Sequence, residues 1–300
     1  MSIRLGEQAS ESAAVPEESE GVGRRGLLAR FLRHRAGVAG AIIVLLLVLV
    51  ALTAPLFAPY NPDYQDLNAI LHAPSHAHVL GTDDLGRDEL SRLMFGSRVS
   101  LEAAALSVFI AILIGIPLGF IAGYYRGFWD EWIIMRVVDA LQAFPFLILA
   151  LALTVFLGPG LVNASIAIGI GFSPGFVRIT RAQVLAVSNQ EYVDGARAIG
   201  AGDLRIFRSY ILPNALAPIL VLTALSMAAA VLAEAALSFL GLGVQPPTPS
   251  WGQMLSVAQN YITLAPWLAY WPGIAIFLAV IGFNIFGDGI RDTLDPRMQL

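Results

Sequence analysis

Long stretches of this chain contain no Asp, Glu, Lys or Arg, and this feature restricts the fold more than any other. Five such stretches cover residues 36–62, 103–125, 140–177, 209–233 and 235–287. A helix needs about 20 residues to cross the hydrocarbon core of a bilayer, so each stretch can hold at least one span. Hydrophobic residues make up 57% of the chain, whereas soluble domains contain roughly 45–50%. The sequence therefore predicts a polytopic membrane protein.

Turn-forming residues divide the longer stretches. Gly158, Pro159 and Gly160 split the third stretch into two spans, and the Pro-rich segment 245–250 cannot be a lipid-facing helix. The prediction is an all-α protein with six transmembrane helices, at about residues 36–58, 103–125, 138–157, 161–181, 213–233 and 266–286, within one six-span domain of residues 36–300.

The distribution of arginine predicts the orientation of these spans. All 18 cationic residues are Arg, and 15 of them lie on the side that carries both termini. Only Arg87, Arg92 and Arg98 lie on the other side. Because short cytoplasmic loops retain positive charge, both termini are expected in the cytoplasm, with an external loop at 59–100 and a cytoplasmic loop at 188–213.

The absence of Lys and Cys excludes several functions. A Walker-type phosphate loop requires Lys, a Schiff base requires an amine, and disulfides or zinc fingers require sulfur. If ATP drives this protein, another chain hydrolyses it, and an intramembrane enzyme is disfavoured. The net charge of -4 gives no indication of nucleic-acid binding.

The N-terminal region has two parts. Residues 1–22 are acidic and polar, which predicts a disordered cytoplasmic tail. Residues 23–35 combine five arginines with one apolar face, which favours a basic amphipathic helix on the inner membrane surface. A plain cytosolic extension of the first span is the alternative.

The cytoplasmic loop is polar and locally well specified. Ser188 and Glu191 form a capping-box pattern, which predicts a helix whose Val193, Ala196 and Ile199 share one face. Gly200 and Gly202 are expected to end it.

A second helix is expected directly afterwards. Asp203 is predicted to cap a short helix over residues 204–210, and Pro213 suits the first turn of the fifth span. Two short helices joined at glycine would form a rigid protrusion that docks in a groove of a soluble partner. An ordinary connection between two spans is the alternative.

The same loop resembles a known motif. Asp194-Gly-Ala196, Gly200 and Tyr210-Ile-Leu-Pro213 are similar to the E-A-A-x3-G-x9-I-x-L-P loop of ATP-binding-cassette importer permeases. The departures are Asp for Glu, Gly for the first Ala, and Tyr for Ile. Asp retains the charge but shortens the reach of the side chain.

Three further segments narrow the resemblance to the C-type subunit of the dipeptide/oligopeptide/nickel permease family. They are Gly81-Thr-Asp-Asp-Leu-Gly-Arg-Asp88 with Gly96-Ser-Arg-Val-Ser-Leu101, Glu234-Ala-Ala-Leu-Ser-Phe-Leu-Gly-Leu-Gly243 with Gln245-Pro-Pro-Thr-Pro-Ser-Trp-Gly252, and Asn284-Ile-Phe-Gly-Asp-Gly-Ile-Arg-Asp-Thr-Leu-Asp-Pro-Arg297. The likeness runs from about residue 25 to the C-terminus.

The resemblance implies the type I importer permease fold in the bacterial inner membrane, without a cofactor in this chain. It further implies a homologous B-type permease, two ATPase subunits that bind ATP and Mg, and an external substrate-binding protein. Because specificity in such systems lies largely in the binding protein, the expected solute is a class: dipeptides, oligopeptides or similarly small solutes. An ion-coupled secondary transporter is the alternative, but it should show buried ionisable groups near the midplane and an inverted repeat.

The resemblance also implies a set of site residues. Those expected to couple the chain to an ATPase are Glu191, Asp194, Ala196, Gly200, Asp203, Leu212 and Pro213. Those expected to dock the external binding protein are Asp83, Asp84, Arg87 and Asp88, on a short amphipathic outer helix within residues 81–100; a loop packed over the outer ends of the spans is the alternative.

Glu234 is an ionisable residue at the outer end of an apolar span. One interpretation places it, with Ser238, at the outer gate of the translocation pathway. The other pairs it with Arg87 or Arg98 of the external loop.

Three smaller patterns can be explained by structure alone, without a functional site. His72, His76 and His78 lie close together in the external loop, but a solvated or structural cluster is favoured over a metal site. The segment 171–175 matches G-x-S-x-G without a later His, so a kink in the fourth span is expected instead of a nucleophile. Gly115, Gly119 and Gly123 allow close helix packing, either within the chain or against a sister permease.

Overall fold

A computed structural model describes residues 24–294 of the chain. Over this range it contains helices and no β-strand, apart from one isolated bridge between Thr82 and Asp88. The helices are α1 (Arg24–Arg33), α2 (Arg35–Phe57), α3 (Glu89–Tyr125), α4 (Trp129–Gln142), α5 (Phe146–Leu157), α6 (Leu161–Ser188), α7 (Glu191–Ala198), α8 (Asp203–Phe239), α9 (Trp251–Ala258) and α10 (Trp267–Leu294). The predicted all-α fold is confirmed, while the acidic tail at 1–22 lies outside the described residues.

Five helices, α2, α3, α6, α8 and α10, are long and apolar enough to cross a membrane, and the bent pair α4–α5 makes up to six. Each predicted span falls largely on one of them, but most of the helices are longer than the predicted spans. The prediction for the fifth span began at 213, whereas α8 begins at Asp203. The prediction of a separate helix over residues 204–210 is therefore wrong. A π-helical turn at Phe207–Ile211 joins these residues to the span without interruption.

The external loop predicted at 59–100 is shorter in the structure. Residues 89–100 form the first turns of α3, so the separate amphipathic helix expected there is the start of a membrane-crossing helix. The Asp88 carboxylate caps this helix by accepting a hydrogen bond from the Ser91 amide at 2.8 Å. Nothing breaks the helix between this cap and the apolar segment, which explains its continuity.

The third span, predicted as one segment at 138–157, is broken into two helices. α4 and α5 meet at an angle of 98° around residues 143–145. Pro145 lacks an amide hydrogen and disfavours helical geometry at Phe144, which accounts for the break.

The glycine repeat of α3 packs against α6 within the chain. A Cβ atom added at Gly115, Gly119 or Gly123 would stand 2.3, 2.6 or 2.7 Å from the Cβ atom of Phe176, Thr180 or Val184, respectively. Cβ atoms do not approach this closely, so only glycine permits the two backbones to lie together. We call this contact the glycine seam; the sequence had left open whether these glycines face α6 or another chain.

A second close contact joins the first and last spans. A Cβ atom at Gly37 would lie 2.8 Å from the Cα atom of Gly289, and one at Gly40 would lie 2.5 Å from the Phe286 amide nitrogen. His34 adds a polar contact across the same helices, with its Nε2 atom 3.1 Å from an Asp292 carboxylate oxygen.

The glycine seam generates a stability prediction. Replacing Gly119 with Leu should lower the free energy of unfolding by about 2–3 kcal/mol, because the new side chain overlaps the backbone of α6. Thermal unfolding of the purified chain in detergent measures this loss. Gly273→Leu is the control, because no atom lies within 4 Å of the Cβ position there. Equal destabilisation by both variants would contradict the role of the seam.

Candidate functional site

The two ends of the bundle carry different candidate sites. One end holds α7, the last turns of α3 and α6, and the start of α8; we call it the α7 end. The opposite end holds α9, residues 58–88 and the start of α3; we call it the α9 end. The residues predicted for ATPase coupling lie at the α7 end, and those predicted for the outer gate and external docking lie at the α9 end.

α7 is a short helix held against the ends of the spans by apolar packing. Val193 and Ala196 are buried on its inner face. Val193 joins a cluster formed by residues of α6 and α8, with Phe120 and Tyr124 of α3 packed against it; its buried members are Val184, Val187, Val193, Ile206 and Ile211. α7 is therefore anchored to three membrane-crossing helices.

The local capping of α7 differs from the sequence prediction. Ser188 does not cap it, because α6 continues through this residue and the serine hydroxyl donates to the Val184 carbonyl. Gln190 is the N-cap residue and supplies no side-chain hydrogen bond. The predicted inner face is also partly wrong, since Ile199 is 86% exposed. The helix ends at Ala198, one residue before it, and the backbone turns at Gly200 with φ +84°.

Asp203 connects α8 to the end of α3. It was predicted as an N-cap, but Gly202 occupies that position and makes Asp203 the first helical residue. The Tyr124 hydroxyl donates to one carboxylate oxygen of Asp203 at 2.7 Å, and the Tyr125 hydroxyl donates to the other at 3.1 Å. We call these two bonds the Tyr–Asp contact.

The α7 helix contributes to the same connection. Arg197 stacks over the Tyr124 ring, with its guanidinium carbon 5.4 Å from the ring centroid. Its Nη1 atom also donates to an Asp194 carboxylate oxygen at 3.0 Å. Asp194 therefore holds an arginine of its own helix, although its side chain remains 68% exposed.

The surface of this end presents apolar side chains to solvent. Tyr192, Ile199 and Leu204 are 48%, 86% and 76% exposed, and we call this group the α7 tip. Exposed apolar groups clustered among polar residues are typical of protein contact surfaces. Sequence reasoning missed all three as contact residues; Ile199 had been assigned to the buried face. The sequence feature that could have identified them is an apolar residue next to the first or last residue of a helix.

The seven predicted coupling residues occupy different environments. Ala196 is buried, Leu212 is half-buried, and the other five are exposed: Glu191, Asp194, Gly200, Asp203 and Pro213. Gly200 has no atom within 4 Å of its Cβ position. Their role as an ATPase contact stays a prediction, and as direct contacts it applies to the exposed members.

Glu234 is buried at the α9 end and is 1% exposed. One of its carboxylate oxygens accepts a hydrogen bond from the Ser238 hydroxyl at 2.6 Å. Ser238 in turn accepts from the Val244 amide, so the pair ties α8 to the turn that follows it. The alternative pairing of Glu234 with Arg87 or Arg98 is wrong, since within residues 24–294 neither arginine forms a salt bridge with Glu234 and Arg87 pairs with Asp83 instead. The geometry favours a structural polar cluster.

The predicted external docking residues are largely enclosed. Asp83, Arg87 and Asp88 are 3%, 5% and 3% exposed. The Arg87 Nε atom donates to Asp83 at 2.7 Å, and Asp88 caps α3. Only Asp84, with a side chain 25% exposed, can reach a partner directly. Burial and the neighbouring Asp83 carboxylate raise the pKa of Asp84 above its ordinary value.

The three histidines do not converge on a metal site. His78 lies 2.9 Å from an Asp88 carboxylate oxygen, whereas His72 and His76 are exposed on the loop. Over the described range, no group of three or more His, Asp or Glu side chains could hold a metal ion.

Comparison with known proteins gives two family matches. The family described as binding-protein-dependent transport system inner membrane component matches residues 115–300. The family described as the N-terminal TM domain of oligopeptide transport permease C matches residues 25–74.

Individual relatives match over most of their length. The glutathione transport system permease protein of Pectobacterium atrosepticum is 43% identical over 271 residues, which cover 90% of each chain. The di/tripeptide transport system permease protein of Pseudomonas aeruginosa is 46% identical over 275 residues, again 90% of each chain. The dipeptide transport system permease protein of Alkalihalophilus pseudofirmus is 43% identical over 272 residues, covering 89% of this chain and 88% of the relative.

A solved structure of the MetNI methionine ABC transporter, in an inward-facing conformation, shares the fold. Its chain aligns with a TM-score of 0.56 at 21% identity and covers 68% of this chain and 97% of that chain. A second crystal form of the same transporter aligns with a TM-score of 0.54 at 20% identity. The type I ABC importer permease fold expected from the sequence is confirmed.

The Glu234 cluster generates a test of its structural role. Glu234→Ala should lower the free energy of unfolding by about 3 kcal/mol, because it leaves a buried serine without its acceptor and opens a void. Glu234→Gln retains an acceptor oxygen and should cost much less. Denaturant unfolding of the purified chain measures both values. An Ala variant as stable as the Gln variant would contradict the structural interpretation.

Proposed function

This chain belongs to the family of binding-protein-dependent transport system inner membrane components, and on that premise we propose that it carries di- or tripeptides across the bacterial inner membrane. It is a permease subunit of an ABC importer, not a member of an enzyme family. The named solutes of its relatives are dipeptides, tripeptides and glutathione, which is itself a tripeptide. These shared names support a short peptide as the solute of this chain.

The proposed assembly contains three kinds of partner. A homologous B-type permease completes the pathway, two ATPase subunits bind ATP and Mg, and an external binding protein delivers the solute. The absence of Lys from this chain supports a separate ATPase, because the Walker-type loop needs that residue.

The observation that supports coupling to the ATPases is the α7 helix, which packs against the spans and exposes an apolar tip. Ile199 and Leu204 offer apolar surface to a partner, and the Asp194 carboxylate is exposed as well. Val193 and the Tyr–Asp contact fix the helix to the spans behind it. A partner that displaced this tip would therefore move the ends of α3 and α8.

The proposed orientation places the α7 end in the cytoplasm. The arginine asymmetry of the sequence supports it, and so does the N-terminal helix α1, which lies at this end. The exposed side chains of Arg30 and Arg33 suit anionic lipid headgroups, while the Phe31 ring packs edge-on against Phe286 of α10 with centroids 5.9 Å apart. Both termini would then be cytoplasmic.

External docking is proposed for the surface around Asp84 at the α9 end. The buried Asp83, Arg87 and Asp88 would act indirectly, by holding the loop that presents Asp84. The alternative of an ion-coupled secondary transporter has no support, because the relatives are permeases of ATP-driven systems and Glu234 is enclosed by the chain itself.

The proposed function is tested in proteoliposomes that contain both permeases and the ATPases, with the binding protein added outside. ATP hydrolysis should rise when the binding protein is loaded with a di- or tripeptide such as Ala-Phe, and the peptide should accumulate inside. Peptide flux driven by an ion gradient, without ATPases, would contradict the proposal.

The contact at the α7 tip makes a specific prediction. The double change Ile199→Asp and Leu204→Asp should reduce peptide uptake by about tenfold or more, because it places charge on the apolar contact. Its cost to folding should be small, since both side chains are exposed. Ser209→Asp, on an exposed polar position of α8, is the matched control and should transport normally. Normal uptake by the double variant would remove the tip from the coupling contact.

A further inference from the structure

Two adjoining cavities line one face of α8. The first has a volume of about 670 Å³ and the second of about 710 Å³, and both are bordered by Leu222 and Leu225. We call the pair the α8 groove; its α8 residues are Asn214, Ala217, Pro218, Val221, Leu222, Leu225, Ser226 and Ala229. Positions three or four apart lie on the same helix face, so the two cavities form one continuous channel wall.

The break in the third span borders this groove. Gln142, Phe144 and Phe146, which flank residues 143–145, line the first cavity. The first turn of α5 has no side-chain cap, so its backbone amides need another partner. Non-helical backbone at membrane depth is tolerated only where protein or water satisfies it. Since the Gln142 and Phe144 side chains are exposed, the chain itself leaves this backbone open to the groove.

The lining of the first cavity combines aromatic rings with uncharged polar groups. Phe146 and Phe172 are stacked, with ring centroids 4.6 Å apart and planes inclined by 5°. Gly171 leaves room for this pair, because a Cβ atom there would lie 2.8 Å from the Phe146 ring. Gln142 and Ser226 supply an amide and a hydroxyl, and none of the residues that line this cavity is charged.

The groove reaches one end of the bundle and not the other. Its second cavity reaches the α7 end, where Gln183, Asn214 and Arg291 line it. Along α8, neither cavity extends beyond Ala229 towards the α9 end. The next residues in that direction include the enclosed Glu234 cluster. The groove is therefore an inlet from the α7 end that stops before the outer turns of α8.

We propose that the α8 groove is the surface of this chain that the transported solute contacts, and that Gln142, Phe144, Phe146 and Ser226 bind the uncharged amide backbone and apolar side chains of a short peptide. This rests on the proposed function and moves the pathway away from Glu234 and Ser238. A helix of the sister permease is the rival occupant. Such a helix would exclude water from the non-helical backbone at residues 143–145 and from the Gln142 and Ser226 side chains. This desolvation costs free energy unless each polar group finds a hydrogen-bond partner.

Cysteine labelling tests the groove directly, because the chain contains no Cys. Gln142→Cys and Ala229→Cys place single thiols in the groove, and Leu46→Cys, exposed at the centre of α2, is the control. The probe is the water-soluble methanethiosulfonate ethyltrimethylammonium, applied to the complete assembly in proteoliposomes opened to both sides. Because only a hydrated thiol ionises readily, both groove positions should react about tenfold or more faster than Leu46→Cys. Trapping the ATPases with ATP and vanadate should change those rates.

Equal, slow labelling at all three positions in both nucleotide states would overturn the proposal and indicate that the groove is filled by another helix. Labelling requires no peptide, so its failure is distinguishable from failure of the proposed function. An assembly that imports Ala-Phe without labelling would refute only the groove.

A second measurement tests contact with the solute. Ala229→Asp adds one negative charge to the uncharged wall and should raise uptake of Ala-Lys relative to Ala-Glu by about tenfold, which corresponds to about 1.4 kcal/mol. Ala229→Asn is the control of equal size and should leave the ratio unchanged. A ratio that Ala229→Asp does not move would overturn the assignment of the groove to the solute.

Discussion

The glycine seam between α3 and α6 is the contact on which the rest of the structure depends. Three glycines at intervals of four residues remove every Cβ atom from one face of α3, so the backbone of α6 lies directly against it. In lipid there is little hydrophobic force between helices, and close van der Waals packing takes its place. The seam therefore fixes the relative positions of the two helices that lead to α7.

Those helix ends determine what α7 can do. α6 is followed by α7 after two residues, and α3 ends with the tyrosines that bind Asp203 at the start of α8. The apolar cluster around Val193 joins the same three helices. A partner that displaced the α7 tip would therefore displace the ends of α3, α6 and α8 together. On its other face, α8 carries the groove that we assign to the solute.

Much of the fold could be predicted from the positions of charged residues, but the lengths of the helices could not. The predicted fourth span ended at 181, whereas α6 continues to Ser188. Its arginines are accommodated because each finds an acid on α4: Arg181 contacts Asp130 at 2.6 Å and Arg178 contacts Asp139 at 2.7 Å. A stretch without charged residues shows where the chain can cross the hydrocarbon core. A helix can continue beyond that stretch when its charged side chains have ion-pair partners.

The candidate sites could likewise be predicted only in part from the sequence. The position of the loop at 188–213 followed from its polarity, but its exposed members could not be identified, because the orientation of Ile199 depends on where α7 ends. At the α9 end, Asp83 and Asp84 look alike in sequence, yet Asp83 is enclosed 2.7 Å from Arg87, whereas Asp84 lies 3.7 Å from the same arginine and keeps a quarter of its side chain exposed. The difference arises from the folding of residues 58–88 over the start of α3, which no local pattern encodes.

The Tyr–Asp contact provides the most direct test of force transmission through α7. Tyr124→Phe combined with Tyr125→Phe removes two hydroxyl groups and retains both rings, so the packing of the α7 end is preserved. In reconstituted proteoliposomes, the measured quantity is the number of peptides imported for each ATP hydrolysed. Our account predicts a marked fall in this ratio while ATP hydrolysis continues. An unchanged ratio would contradict it.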